Sequence, residues 1–195
     1  MADDPHVLLM LQFQKGDERA FIELFEYYKQ PLISFMYRFC HDKRVAEELS
    51  QEVFLRVYRT ADSYTPDAKF STWIYRIATN ICLNEMRSGK YRYEYELKHR
   101  YHNDAGGTLH EAVDEDSCVG TDEKLAEDEK QAFVRAAISA LPAKQRLALI
   151  FSIYDQLSYK EIGERLGCSE GAVKSIIHRA KLALKSALKK GMMHS

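Results

Sequence analysis

Apolar residues recur at helical spacing through most of the chain, and no alternating strand pattern of useful length interrupts them. The pattern predicts about four helices before residue 90 and four after residue 125. In segment 44–59, Val45, Leu49, Val53 and Val57 form one apolar stripe, while Glu48, Gln51, Glu52 and Arg56 share a polar face. In segment 71–87, behind a candidate cap at Ser71, Ile74, Ile77, Ala78 and Ile81 point inward. Arg76, Asn80, Asn84 and Arg87 line the opposite face, and Trp73 and Tyr75 sit near the helix start. From about Ser88 to Asp122 no stripe is sustained; the stretch holds Gly106-Gly107 and the acidic run Asp114-Glu115-Asp116, and reads as a linker. The expected fold is therefore all-α. Two small helical domains, at 1–90 and 126–195, are joined by an acidic flexible linker at 91–125.

The second domain carries the sharper local signals. Leu141-Pro142 opens a central helix, with proline in the tolerated first turn and Leu147, Ile150, Phe151 and Tyr154 as its core stripe. Ser158-Tyr159-Lys160-Glu161 is a capping box. It starts a short helix, 159–166, expected to bury Tyr159, Ile162 and Leu166. Gly167 suits the left-handed turn that ends this helix, and Ser169 caps a further helix reaching about Leu188. Helix, glycine turn and capped helix have the spacing of a helix-turn-helix. In the last helix Val173, Ile176, Ile177, Ala180, Leu184 and Leu188 face inward. Lys174, Ser175, His178, Arg179, Lys181 and Lys185 face elsewhere.

Charge changes this picture from a pair of helical domains to a chain with separate tasks. The net charge of −1 is a cancellation. Residues 1–87 hold 11 basic and 13 acidic side chains, residues 88–129 hold 5 and 12, and residues 130–195 hold 12 and 4. A strongly basic C-terminal segment suits a polyanion, because neutralising phosphates releases condensed counterions. On such a helix, Lys174, Ser175 and His178 near the start reach base edges, Arg179 reaches a base or a phosphate, and the later lysines reach phosphates. A basic solvated face is the plainer alternative. Similarly, the amides, arginines and aromatics of 71–87 suit unstacked bases, although an aromatic near a helix start more often belongs to a core.

No stretch approaches the roughly 20 apolar residues of a membrane helix, and the acidic N-terminus lacks a signal peptide's basic flank. The expected location is cytoplasmic. Cys40, Cys82, Cys118 and Cys168 are far apart and form no CxxC pair, so free thiols are expected. His99, His102, His110 and Cys118 fall in the linker but match no compact zinc pattern. Cys168 beside the turn is a candidate redox sensor. Neither a phosphate-binding loop nor a nucleophile–base pair is present, so no enzyme, cofactor or metal is expected.

The motifs together resemble a known family. Ala46-Glu47-Glu48-Leu49-Ser50-Gln51-Glu52-Val53-Phe54, Phe70-Ser71-Thr72-Trp73-Ile74-Tyr75-Arg76-Ile77-Ala78-Thr79-Asn80, Leu141-Pro142, Ser158-Tyr159-Lys160-Glu161-Ile162 and Gly171-Ala172-Val173-Lys174-Ser175 look like the bacterial sigma factors called extracytoplasmic function (ECF). The resemblance covers both domains in order and spacing; the linker matches weakly. It implies that Glu48, Gln51, Glu52 and Arg56 meet the clamp helices of the largest subunit of core RNA polymerase, whose flap is a further contact. It implies that Lys69, Trp73, Arg76, Asn80 and Asn84 recognise and open the promoter −10 element. Ser169, Lys174, Ser175, His178, Arg179 and Lys181 would read the −35 element as duplex. It also implies a linker threaded into the polymerase channels and an anti-sigma partner that holds the protein inactive until a stress signal. The rival reading is a self-sufficient, dimeric helix-turn-helix activator with an N-terminal sensor domain.

Overall fold

The computed structural model describes residues 4–88 and 133–192, and every regular element among them is helical. The first half holds α1 (Pro5–Gln14), α2 (Glu18–Cys40), α3 (Lys43–Arg59), a 3-10 turn (Ala61–Ser63) and α4 (Phe70–Ser88). In the second half, a helical segment at 133–139 precedes α5 (Ala143–Ile153), α6 (Tyr159–Leu166) and α7 (Glu170–Met192). Aspartates start three of the early helices. Asp4, Asp17 and Asp42 accept from the backbone amides of His6, Arg19 and Val45, each at 3.0 Å, satisfying donors that a helix N-terminus leaves orphaned. The turn between α2 and α3 passes through His41 in the left-handed region, φ 55.

Most positions of the predicted stripes are buried, with Ile176, Leu184 and Leu188 of the last helix half-buried. Val45, Leu49, Val53 and Val57 of α3 pack against α2, and Ile74, Ala78 and Ile81 of α4 pack inward, with Ile77 half-buried. In the second half, Leu147, Ile150 and Phe151 of α5 meet Ile162 and Leu166 of α6 and Val173, Ile177 and Ala180 of α7 in one core.

The halves also pack on each other, through α2 and α4 against α5 and α6. Phe35 stacks on Phe151 with ring centroids 5.0 Å apart and planes 19° from parallel. Arg146, only 1% exposed, crosses the boundary. It donates from Nη1 to the carbonyl of Phe39 at 2.9 Å and also meets the carbonyls of Ser139 and Leu141. Burying a guanidinium is tolerable only with such acceptors. At the edge, Asp155 lies 3.6 Å from Arg38 and 3.7 Å from Arg165, whose guanidinium covers the Tyr75 ring at 4.3 Å.

Four local expectations are corrected. Ser71 lies within α4, which begins at Phe70; the Phe70 amide donates to Asp4 Oδ2 at 3.1 Å, a cap from 66 residues upstream. Pro142 sits one residue before α5, at its cap, with ψ 140. Tyr154 is 54% exposed because α5 ends at Ile153, and its ring lies under the Arg38 guanidinium at 4.7 Å. Tyr159 is 37% exposed because the core face of α6 begins only at Ile162. The expected linker at 91–125 lies outside the described residues, as do His99, His102, His110 and Cys118.

Candidate nucleic-acid interface

The helix-turn-helix is built by local chemistry. Ser158 Oγ accepts from the Glu161 amide at 3.3 Å, and Glu161 Oε2 accepts from the Ser158 amide at 2.9 Å and hydroxyl at 2.7 Å. These bonds hold the Glu161 carboxyl below the usual carboxylate range. Gly167 takes the left-handed conformation, φ 64, that ends α6. Gly163 answers a different need: a Cβ there would stand 2.6 Å from the carbonyl oxygen of Cys168, so the turn closes over it only as glycine. The Ala172 amide donates to Ser169 Oγ at 3.3 Å, which starts α7.

Burial of Val173, Ile177 and Ala180 fixes the rotation of α7. Lys174, Ser175, His178 and Arg179 are thereby exposed and line one shallow surface depression. Ser175 Oγ donates to the Gly171 carbonyl at 3.2 Å, and Arg179 Nε reaches the Ser175 carbonyl at 3.4 Å. Lys181 is exposed on the same helix but outside the depression, and Ser169 uses its hydroxyl as a cap.

A second, concave feature lies before α4. A cavity of about 210 Å³ is lined by Ser63, Thr65, Asp67, Ala68, Thr72, Trp73 and Arg76. Thr65 Oγ1 donates to Asp67 Oδ2 at 2.7 Å, closing the turn around Pro66. Of the residues assigned to this face from sequence, Trp73 and Arg76 meet at the cavity. Lys69 is exposed at its edge in sequence but does not line it, and Asn80 and Asn84 are exposed further along α4. Trp73 is both a wall and a packing residue, with its ring 4.8 Å from Tyr64 and 5.6 Å from Phe70. Ser63, Thr65, Asp67, Ala68 and Thr72 escaped the sequence reading. The Thr65-Pro66-Asp67 turn signal is the one local clue that pointed there.

On α3, Glu48, Gln51 and Arg56 are exposed and Glu52 is half-buried. Glu48 pairs with Arg44 at 2.8 Å and Glu52 with Arg56 at 3.3 Å, the ion pairs that helical spacing favours. Beside them stand two large apolar side chains that the sequence reading passed over, Leu55, 50% exposed, and Tyr58, 52% exposed. A polar face interleaved with exposed apolar groups has the make-up of a protein interface.

Among the described residues, no cluster of three His, Cys, Asp or Glu side chains is placed to hold a metal, and no helix is long and apolar enough to cross a membrane. Burial pushes the Cys40 thiol up to about 11 and the Cys82 thiol well above its ordinary value, which makes both poor nucleophiles.

Comparison with known proteins brings these surfaces together. Residues 24–92 match Sigma-70 region 2, and residues 134–184 match Sigma-70 region 4. The chain is 34% identical over 178 residues to the ECF RNA polymerase sigma factor SigW of Bacillus subtilis, covering 91% of this chain and 94% of the relative. It is 32% identical over 180 residues to the ECF RNA polymerase sigma-E factor of Escherichia coli K12, covering 91% of each. Its fold is similar to that of CnrH, solved with the cytosolic domain of CnrY, with a TM-score of 0.65 at 21% identity over 96% of this chain and 99% of that one. It is also similar to RpoE of Bartonella quintana, solved with the anti-sigma factor NepR, with a TM-score of 0.56 at 23% identity over 87% and 96%. The region 2 match occupies the half that an activator reading would give to a sensor. With two sigma regions in order and relatives of matching length, the chain belongs to the ECF family of RNA polymerase sigma factors.

Proposed function

We propose that this sigma factor divides its work among three surfaces. The face of α3 carrying Glu48, Gln51, Glu52 and Arg56 docks on the clamp helices of core RNA polymerase. The loop before α4, with Lys69, and α4 itself, with Trp73, Arg76, Asn80 and Asn84, capture the −10 element as it opens. The face of α7, with Lys174, Ser175, His178, Arg179 and Lys181 and the Ser169-capped turn, reads the −35 element.

The observation that supports this reading best is the presence of two unlike surfaces on one chain, an exposed basic helix face and an aromatic-walled cavity. An exposed, cationic helix face suits a duplex major groove, which admits an α-helix. A cavity walled by Trp73 and polar side chains suits a single unstacked base, which an aromatic face stacks on and polar groups discriminate. The energy gained by capturing a base offsets the unstacking that opening requires. Such a protein works where the polymerase works, in the cytoplasm, and needs no catalytic residue of its own. An anti-sigma factor is the expected inhibitor, in keeping with the fold shared with RpoE, solved with NepR.

Run-off transcription with purified core polymerase tests the reading. Initiation at defined promoters only when this protein is added is the expected result. Tight duplex binding by the protein alone at paired half-sites, without promoter-specific initiation, would overturn it.

A further inference from the structure

The N-terminal helix α1 has no part in the three surfaces above, yet each of its ends is tied to the stretch that forms the cavity. Gln14, its last residue, spends both carboxamide hydrogens on that stretch. Nε2 donates to the carbonyl of Ala61 at 2.7 Å and to the carbonyl of Tyr64 at 2.9 Å. These carbonyls bracket the turn that carries the cavity residue Ser63, and the Tyr64 ring, itself outside the lining, packs against the cavity wall at Trp73. At the other end, Asp4 uses its two oxygens in two directions. Oδ1 accepts from the His6 amide at 3.0 Å and starts α1; Oδ2 accepts from the Phe70 amide at 3.1 Å and starts α4. Phe70 lies two residues before Thr72 and three before Trp73.

We infer that α1 is a positioning strut for the −10 cavity, with Gln14 and Asp4 as the residues that set the spacing of its two sides. A helix of ten residues spans about 15 Å at 1.5 Å per residue and resists compression. Pinning residues 61–64 to one end and residue 70 to the other fixes the path of the loop that must cross between them. Val7 and Met10 anchor the strut in the core, and the Tyr28 hydroxyl meets His6 Nδ1 at 3.0 Å. A discriminating pocket needs its walls held within fractions of an ångström. The loop's own hydrogen bonds, Thr65 to Asp67 and the turn at Ala61–Ser63, are short-range, so beyond the packing of Tyr64 on Trp73 and Phe70 its spacing from α4 is held by the ties to α1. Gln14 and Asp4 touch no promoter base; they act through Tyr64, Trp73 and the start of α4.

This inference rests on the cavity being the −10 site. Its test is transcription by reconstituted holoenzyme from two promoter pools, one randomised in the −10 element and one in the −35 element. The variant Gln14→Met keeps the side-chain length and helix propensity but donates no hydrogen bond. It removes both donations, to Ala61 and to Tyr64, and is expected to flatten the base preference at the −10 element by about three- to tenfold, since only part of the free energy of two lost hydrogen bonds reaches the pocket. The −35 preference and association with core polymerase should stay near those of the unaltered protein, with the unfolding midpoint lowered only modestly by the two lost bonds. Asp4→Ala cuts the other tie and should flatten the same preference, which keeps the question open to test if Gln14→Met folds poorly. An unchanged −10 profile in folded variants overturns the inference, and so does an equal loss at both elements. A flat −10 profile in the unaltered protein would instead sink the assignment of the cavity, and is seen before any substitution is made.

Discussion

Arg76 donates two hydrogen bonds, from Nε at 3.1 Å and Nη2 at 3.0 Å, to the backbone carbonyl of Glu164 in the helix-turn-helix. The same arginine lines the cavity before α4. Under the proposed reading of that cavity its guanidinium would have two competing uses, and contact between the domains would oppose contact with DNA. Asp155 sits at the hub of that contact, beside Arg38 and Arg165. Burial raises its carboxyl above the ordinary range, while the two arginines pull it back. Asp155→Asn removes the charge that both arginines face. The variant is expected to bind single-stranded −10 DNA several-fold more tightly than the unaltered protein, without polymerase. Equal affinity in a titration at fixed salt would count against the competition.

Gly163 and Gly171 make a matched pair for stability. A methyl group at Gly163 meets the Cys168 carbonyl at 2.6 Å, whereas nothing lies within 4 Å of one at Gly171. Gly163→Ala should destabilise the helix-turn-helix by about 1–3 kcal/mol through overpacking against backbone. Gly171→Ala should be neutral or stabilise by up to about 1 kcal/mol through helix propensity. Denaturant unfolding of the two variants checks the sign of each.

Arg179 is exposed on the α7 face beside Lys174, Ser175 and His178. If it forks to a base, Arg179→Ala should weaken −35 recognition by about 1–3 kcal/mol. The measurement is promoter selectivity in the reconstituted system, and an unchanged −35 preference would remove the residue from that role.

Gln51 and Glu52 lie on the polar face of α3, next to exposed Leu55. A double alanine variant should lose association with core polymerase and keep its helical spectrum, because neither side chain serves the core. Co-purification at the normal level would show that the docking surface lies elsewhere.

His41 provides a pH dependence. Burial first, then the charges of Arg146 and Arg135, lower its imidazole from 6.5 to about 4. Among the described residues, its Nε2 is buried with no hydrogen-bond partner. A base that resists protonation only when folded contributes stability above the unfolded value. That stability is lost as pH falls from about 6.5 towards about 4, with a ceiling of about 3 kcal/mol. His41→Asn suits the left-handed backbone at this position. It should flatten the stability profile across this window, as read from unfolding midpoints at a series of pH values.

Much of the fold was legible because the signals were local. The capping box at Ser158 and Glu161, the left-handed Gly167, the Ser169 cap and the buried stripes of α3 and α7 each involve residues a few positions apart. A helix period or a cap works over one or two turns, so its chemistry can be read without knowing the fold. Misreadings arose where a stripe met the end of its helix, as at Tyr154 and Tyr159. There the chain direction, and not the spacing, sets the exposure.

The sequence by itself determined an all-helical chain with a basic recognition helix at one end and a polar, sigma-like helix near the other. Only the tertiary structure decided what meets across long separations. It placed Asp4 at the start of α4, Gln14 on the carbonyls of Ala61 and Tyr64, Arg146 in a buried contact with Phe39, and Arg76 on Glu164. These contacts leave no periodicity behind, because each depends on two backbones approaching from distant parts of the chain. A buried guanidinium or a carboxylate cap is stable only once that approach supplies its partner, so its position is a property of the packed molecule.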